Sequence, residues 1–359
     1  MYTEKKLEKQ TSQRNVGMDV IRCFALLCVI SVHLFLNAGF YDQTVAGVEM
    51  HILMLVRNFF MICVPLFILL SGYLLNQKAV SLKYYLRIIP ILSIYLLSCC
   101  VCVLYRIWIN GEVLTIGGVI RQIFCYEAAP YGWYIEMYIG LFLLIPFLNI
   151  LYHHIALQKH KKYLIATMLF LTAGIGLIND FFVIFPDFWE SLYPVTYYFI
   201  GCYLKEYPLK LKRATRVLLF IGLFLISGSI SYLYFYGQLF QWNNWQKYGS
   251  AINTIQAVLV FDFLAHRNYT HCGTKTRKLL SYISKWSLGA YLVSWIFDNF
   301  LYCWILNNYQ PTFSGKMLFF VPIVLVVYVC SSVLSGILNG LYNVTIGKLL
   351  SRFIAKYQT

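Results

Sequence analysis

The stretch that decides the fold is MDVIRCFALLCVISVH, Met18 to His33. It belongs to an apolar run long enough to cross a membrane, yet Arg22 lies near one end and His33 at the other. Their separation of eleven residues is close to three turns of an α-helix, so both side chains project from nearly the same face, about 16 Å apart. An ionisable group inside a membrane span costs a few kcal/mol. This face is therefore expected to point into the interior of a helical bundle.

The composition of the whole chain is that of an integral membrane protein. Of 359 residues, 60% are hydrophobic and only 12% are charged. The mean hydropathy of +0.66 excludes an ordinary soluble globular domain. The apolar runs are continuous rather than alternating, which predicts helices. The expected fold class is an all-α integral membrane protein.

Ten apolar segments predict a bundle of about ten transmembrane helices. They lie near 17–37, 53–75, 88–108, 134–151, 163–178, 192–204, 217–236, 249–265, 281–305 and 317–341. This pattern predicts one transmembrane domain at 17–341, preceded by a leader at 1–16 and followed by a tail at 342–359. The leader is charged and the first apolar run is too long for the core of a signal peptide, so no cleavable signal peptide is expected.

The lysines and arginines fall on alternate sides of these spans. The two termini and the even-numbered loops carry 22 of the 29, and the odd-numbered loops carry 3. By the positive-inside rule, both termini are expected to be cytoplasmic. The net charge of +15 thus reflects membrane topology, and no nucleic-acid partner is expected.

Neither the cysteines nor the histidines show the spacing of a metal site. The eleven cysteines include the cluster Cys99, Cys100 and Cys102, but no second Cys-x-x-Cys stands elsewhere to pair with it. Most of them lie within apolar runs, where they act as small hydrophobic residues. No metal is expected. The longest gap between spans, 109–133, contains CYEAAPYGW and is a candidate lid on the outer face.

The residues alone leave two interpretations of each ionisable group in the first span. Arg22 either faces a wet cavity or extends to the cytoplasmic headgroups beside Asp19. His33 is the only histidine deep in a span. It suits a general base, because imidazole exchanges its proton near neutral pH, but a structural hydrogen bond to a neighbouring helix is an equal alternative.

The segment that contains Arg22 and His33 resembles the opening motif of the membrane-bound acyltransferase-3 family, in which an arginine, ten residues and a histidine begin the first span. Five further segments are similar to family elements in the expected order: RNFFMICVPLFILLSGYLLN (57–76), YYLRIIPIL (84–92), YGWYIEMYIGLFLLIPFLNI (131–150), YYFIGCYL (197–204) and WSLGAYLVS (286–294). Many relatives have a histidine where this chain has Ser294, so no role of that histidine carries over. The pattern resembles the short branch of the family, which lacks an appended esterase-like domain.

The resemblance implies transfer of acetyl from cytoplasmic acetyl-CoA to a hydroxyl of a cell-surface polysaccharide or lipid-linked sugar. It also implies a bacterial cell membrane. The expected partners are therefore the acyl-CoA donor, the glycan acceptor and membrane lipids. The expected site residues are His33 and Arg22 for catalysis, Arg22 and Arg87 for the donor, and Trp133, Tyr134, Glu136 and Arg57 for the acceptor.

Structural alternatives remain for several of these residues. Arg87 could be a membrane-anchoring charge, and Trp133 and Tyr134 could be interface residues. Glu136 could pair with Arg57 instead of binding a sugar. Ser71 is expected to be a packing or turn residue rather than a nucleophile.

Three further ionisable residues within spans have no role fixed by the motifs. Asp262 and Lys285 could pair near the cytoplasmic ends of their spans, and Asp298 could face the acceptor cavity.

The alternative function is a polysaccharide exporter or acyl-group transporter of the same family. No inverted repeat or broken helix in the sequence favours it. A membrane-anchoring module is a third possibility, but it would not explain why Arg22 and His33 share one helix face.

Overall fold

The computed structural model describes residues 15–179, 182, 185–242, 245–310, 312–345 and 347–348. The predicted leader lies almost wholly outside these residues, and most of the predicted tail does too. In the part described, the regular structure is helical, apart from one isolated bridge between Thr44 and Leu239.

Fourteen helices follow one another along this part of the chain, and two of them are extended by further helical segments. The helices are α1 Val16–Asn37, α2 Gly47–Phe60, α3 Cys63–Leu75, α4 Leu82–Tyr85, α5 Ile88–Trp108, α6 Ile116–Phe124, α7 Trp133–His154, α8 Gln158–Leu169, α9 Tyr193–Glu206, α10 Arg213–Tyr234, α11 Ala251–Ala265, α12 Thr274–Asn299, α13 Phe313–Leu318 and α14 Phe320–Val344. The two extended helices are α8, which continues through Phe170–Gly174 to Ile175–Asn179, and α12, which continues through Phe300–Leu306 to Asn307–Tyr309.

Among the residues that the structure describes, eight helical segments are long and apolar enough to cross a membrane. They are Val16–Asn37, Gly47–Leu75, Leu82–Trp108, Trp133–His154, Gln158–Asn179, Arg213–Tyr234, Thr274–Tyr309 and Phe320–Val344. The predicted spans at 192–204 and 249–265 fall on α9 and α11, which have 14 and 15 residues. At 1.5 Å per residue each is about 22 Å long, less than the ~30 Å of a bilayer core. The count of ten spans and the cytoplasmic termini therefore stay predictions.

α1 is the central helix of the bundle. Fifteen of its 22 residues are buried, as expected for a helix that is apolar on every side. It runs parallel to α12, since Arg22 contacts Ser284 near one end and His33 lies close to Asp298 near the other. The hydroxyl of Tyr328 on α14 also donates to the backbone oxygen of Cys23. Arg22 and His33 of α1 are thereby placed against a neighbouring helix.

α3 and α9 pack backbone against backbone through two glycines. A Cβ added to Gly72 would overlap the backbone oxygen of Tyr198, and one added to Gly201 would overlap that of Leu69. Glycine permits this approach because it has no side chain. The close contact explains why α9 is mostly buried, with nine of its 14 residues in the interior.

Only the last part of the candidate lid enters the bundle. α6 has no buried residue, whereas in the turn after it Ala128 and Ala129 are fully buried and Tyr131 nearly so. The hydroxyl of Tyr95 on α5 donates to the backbone oxygen of Ile123 at 2.7 Å, which ties the end of α6 to the bundle. The segment therefore delivers Tyr131 to the interior, and the lid role of its exposed part stays a prediction.

We expect Gly72→Ala to lower the free energy of unfolding of the detergent-solubilised protein by about 1–3 kcal/mol or more, and with it the melting temperature. The reason is that the new methyl group meets backbone atoms, which no rotamer change can move. The control is Gly140→Ala on α7, where an added Cβ has nothing within 4 Å and alanine favours the helix. Equal melting temperatures for the two variants would contradict the close α3–α9 contact.

Candidate active site

A cavity of about 240 Å³ lies between α1, α3, α7 and α12. Both Arg22 and His33 line it, together with Trp133, Tyr134 and Tyr248. The side chains between them are mostly apolar: Val29, Val32, Val64, Phe67, Leu70 and Leu288. The interior face that helix periodicity predicts for Arg22 and His33 is thus the wall of this cavity. Their chemical roles stay predictions.

At one end of the cavity, Arg22 belongs to a polar cluster with Asp19 and Ser284. Its guanidinium lies 3.7 Å from an Asp19 oxygen and donates to the Ser284 hydroxyl at 3.3 Å. The Ser284 hydroxyl donates in turn to Asp19 at 2.7 Å. The two interpretations of Arg22 are therefore compatible, since the side chain is held beside Asp19 and also lines the cavity.

Further along α1, His33 is enclosed by aromatic rings and a carboxylate. Its ring centroid lies 3.6 Å from that of Tyr131 and 5.9 Å from that of Tyr291. Its Nδ1 atom is buried, makes no hydrogen bond within the described part of the chain, and lies 4.0 Å from Oδ2 of Asp298. That distance exceeds a hydrogen bond, so the two buried groups face each other without being bonded.

Asp298 lies behind His33, and only 1% of it is exposed. Its Oδ2 atom accepts a hydrogen bond from the Tyr131 hydroxyl at 2.9 Å. The side-chain amide of Asn37 donates to the same hydroxyl at 3.0 Å and to the backbone oxygen of His33 at 2.7 Å. The backbone oxygen of Tyr131 accepts from Tyr291. Asp298 thus belongs to a network that holds His33, and it is not among the residues that line the cavity.

Sequence reasoning missed Tyr131 and Asn37 and gave Asp298 a different place. The contact of Asn37 with His33 could have been inferred from the sequence, because Asn37 follows His33 by one helical turn. Tyr131 and Asp298 are about a hundred residues or more away in sequence, so no local pattern joins them to His33.

The His33 end of the cavity is lined by stacked aromatic rings. Trp133 stacks on Tyr248 with centroids 5.5 Å apart and planes inclined by 19°. Tyr134 stacks on Tyr138 at 5.9 Å. The predicted acceptor residues Trp133 and Tyr134 therefore do reach the cavity that contains His33.

Glu136 and Arg57, the other two residues predicted to bind the acceptor, are not on this cavity. Glu136 is exposed on α7, whereas Arg57 is 0% exposed. The Arg57 guanidinium donates to Asn58 at 2.9 Å and to the Tyr41 hydroxyl at 3.2 Å. The alternative prediction of a Glu136–Arg57 ion pair is therefore wrong, because Glu136 is exposed whereas Arg57 is buried and bonded to other residues.

Aromatic rings enclose the charge of Arg57 instead. Its guanidinium carbon lies 4.4 Å from the ring centre of Trp242 and 4.7 Å from that of Phe240. The negative faces of such rings stabilise a cation that has lost its water. Arg57, Tyr41, Phe240 and Trp242 form what we call the arginine cage.

Arg87 is exposed at the start of α5, outside the cavity. It precedes Ile91 by one turn, and Ile91 lines the cavity. Arg87 and Arg22 both lie near the first residues of helices that run in the same predicted direction. Ser71 also lines the cavity, and its hydroxyl donates to the backbone oxygen of Phe67 at 3.0 Å, as a packing residue in a helix does.

The expected pair of Asp262 and Lys285 does not form. Asp262 accepts from Arg216 at 2.8 Å and from the backbone nitrogen of Leu209 at 3.0 Å. Lys285 is exposed and lies over the ring of Trp286. Ser294, at the position of the family's late histidine, is fully buried and donates to the backbone oxygen of Tyr291 at 2.8 Å. It supplies no imidazole to the site.

An all-helical bundle with eight candidate spans and an interior cavity lined by a histidine and an arginine defines a multi-pass membrane protein with a partly polar interior cavity. The acyltransferase-3 family model, described as an acyltransferase domain, matches residues 15–336 of the 359. The chain belongs to that family and is a membrane acyltransferase. No curated protein and no solved structure matches it significantly.

The arginine cage predicts a structural cost for Arg57→Met. We expect this variant to have a free energy of unfolding lower by about 1–3 kcal/mol, and so a lower melting temperature, because Asn58 and Tyr41 lose a charged hydrogen-bond donor inside the protein. Arg87→Met, which changes an exposed arginine in the same way, should leave the melting temperature nearly unchanged. Thermal denaturation in detergent measures both, and an equal response would argue against the cage.

Proposed function

We propose that this acyltransferase moves an acetyl group from cytoplasmic acetyl-CoA to a hydroxyl of a cell-surface polysaccharide or lipid-linked sugar, in a bacterial inner or plasma membrane. The observation that carries the proposal is the cavity that Arg22 and His33 share, with Asp298 directly behind His33. Membership of the acyltransferase-3 family supports the reaction class.

In this proposal the donor enters from the end of the cavity where Arg22 lies. That end belongs to the side on which most loop lysines and arginines fall, which favours a phosphate-bearing donor. Arg22 and, at the surface, Arg87 bind oxygens of the coenzyme. The apolar side chains between Arg22 and His33 suit an uncharged arm that carries the thioester towards His33.

The reaction needs no acyl-enzyme intermediate. His33 takes the proton of the acceptor hydroxyl as its oxygen attacks the thioester carbonyl. A carbon–oxygen bond forms, the carbon–sulfur bond breaks, and the proton on His33 passes to the departing thiolate of coenzyme A. Direct transfer also fits Ser71, whose hydroxyl is already bonded within α3.

Asp298 orients His33 and stabilises the imidazolium that forms during transfer. The buried Nδ1 atom faces Asp298, so the opposite ring nitrogen is the one that serves the acceptor. The 4.0 Å separation can shorten when substrates bind, because catalytic hydrogen bonds are often long in the free enzyme. Tyr131 fixes the carboxylate, and Trp133 and Tyr134 contact the acceptor in the same half of the cavity.

His33→Ala should abolish acetyl transfer, with a loss of about 10²–10⁴-fold, because the acceptor hydroxyl loses its base. The measurement is transfer of radiolabelled acetyl from acetyl-CoA to membrane-extractable glycan at matched expression. His154→Ala, which removes an exposed histidine, is the control and should retain full activity.

Equal labelling by wild type and His33→Ala would remove His33 from catalysis. If neither protein labels glycan, the acetyl-transfer proposal fails and export of unmodified glycan becomes the reaction to test.

Asp298→Asn should lower kcat about tenfold or more and leave the KM for acetyl-CoA unchanged, because the neutral amide no longer stabilises the imidazolium. Tyr131→Phe keeps the carboxylate and removes only its hydrogen bond, so its effect on kcat should be smaller. Steady-state kinetics of both variants test this order. A rise in KM with unchanged kcat would contradict the role of Asp298 behind His33.

A further inference from the structure

A second cavity, of about 380 Å³, adjoins the first at its aromatic end. It lies between the extended end of α8, the start of α9, Trp242 and residues 247–250. Tyr248 lines both cavities and is the wall between them. The hydroxyl of Tyr197 on α9 donates to the backbone oxygen of Tyr248 at 2.6 Å, which fixes this wall to the bundle.

The second cavity combines aromatic surface with one pair of opposite charges. Trp242 and Tyr193 provide rings, and Glu190 and Lys247 provide a carboxylate and an ammonium group. The Glu190–Lys247 distance is 2.9 Å, although the two residues are 57 positions apart. Such a pair offers both acceptors and donors to hydroxyl groups while carrying no net charge.

The arginine cage gives Trp242 a fixed orientation. Arg57 lies against the Trp242 ring at 4.4 Å, and Tyr41 stacks on the same ring at 6.0 Å. Trp242 nevertheless remains 50% exposed and lines the second cavity. A buried arginine in a membrane protein is expensive and marks a functional region by default. Here its effect is to hold a half-exposed indole rigidly at a cavity wall.

Rigid aromatic surface and a few convergent polar groups are the composition of small-molecule sites. A sugar ring fits this composition, because it presents apolar C–H faces to an aromatic ring and hydroxyls to charged groups. A lipid tail would leave the hydrogen-bonding groups of the ion pair unused. A strongly anionic ligand would gain no net attraction, because the charge of Glu190 opposes that of Lys247.

We propose that the second cavity is the subsite for a sugar ring of the acceptor, with Trp242 as its stacking platform and Glu190 and Lys247 as its hydroxyl-binding pair. A sugar ring bound there lies beside Tyr248. A hydroxyl of that ring, or of the next sugar in the acceptor, extends past Tyr248 into the cavity that contains His33. This assignment rests on the proposed acetyl transfer. It also gives Arg57 a positioning role instead of the direct contact with the acceptor that its sequence position suggested.

The test separates acceptor binding from donor use. Purified wild type, Trp242→Ala and Glu190→Gln are assayed with radiolabelled acetyl-CoA while the glycan fraction extracted from the source cell envelope is titrated as acceptor. We expect both variants to raise the KM for the glycan fraction at least tenfold and to leave the KM for acetyl-CoA within twofold of wild type. Trp304→Ala is the matched control, since Trp304 is also 50% exposed but lies outside both cavities.

Trp242→Ala removes one ring of the cage, so an effect through the fold has to be excluded. An unchanged KM for acetyl-CoA excludes that explanation, and Glu190→Gln leaves the cage intact. Trp242→Phe keeps an aromatic face and should restore most of the glycan affinity.

A binding measurement distinguishes failure of this inference from failure of the proposed reaction. Tritiated glycan fraction is bound to His33→Ala with and without Trp242→Ala, so that nothing is consumed. Suppose that wild type transfers acetyl, and that the Trp242 and Glu190 variants show an unchanged KM for the glycan fraction and unchanged glycan binding. This result overturns the subsite alone. Trp242-dependent binding without any transfer by wild type supports the subsite and overturns the proposed chemistry. Equal losses in Trp304→Ala overturn the assignment to this cavity.

Discussion

The structure depends on one constraint, which is the free energy needed to place an ionisable side chain inside an apolar bundle. α1 contains three such residues, Asp19, Arg22 and His33, and each lies close to a polar group of α12. Arg22 and Asp19 share Ser284 of α12, and His33 lies against Asp298 of the same helix. Because these contacts occur in the same order along both helices, they fix α1 and α12 as a parallel pair in one register. The polar residues that make the helix costly to bury also specify its partner.

The same constraint has a second solution at Arg57. A buried guanidinium could have been neutralised by a carboxylate, and Glu136 was the candidate that the sequence offered. The chain instead encloses the charge in the rings of Phe240 and Trp242 and gives its donors to Asn58 and Tyr41. Within the described part of the chain, Arg57 has no carboxylate at ion-pair distance, and the rings and neutral acceptors surround its charge instead. This arrangement also ties the segment after α1 to the segment after α10, which brings the indole to the edge of the second cavity.

Helix α3 packs closely on α9 and also lines the cavity. The glycines of α3 and α9 bring two backbones into direct contact, while Val64, Phe67 and Ser71 of the same α3 line the cavity. One helix therefore takes part both in a close backbone contact and in the wall of the site. The turn before α7 completes the site, since it delivers Tyr131 to His33, and Trp133, the first residue of α7, stacks on Tyr248.

The sequence by itself determined that the chain is a helical membrane protein, and it placed Arg22 and His33 on one interior face. Both conclusions rest on local properties, namely the length of apolar runs and the 3.6-residue period of the helix. Its resemblance to the acyltransferase-3 family was confirmed over residues 15–336. Only the tertiary structure decided that Asp298 and Tyr131 surround His33, that Arg57 lies in an aromatic cage, and that Asp262 pairs with Arg216 rather than Lys285. These partners come from helices and turns distant in sequence, and their meeting depends on how the helices pack, which helix periodicity does not specify.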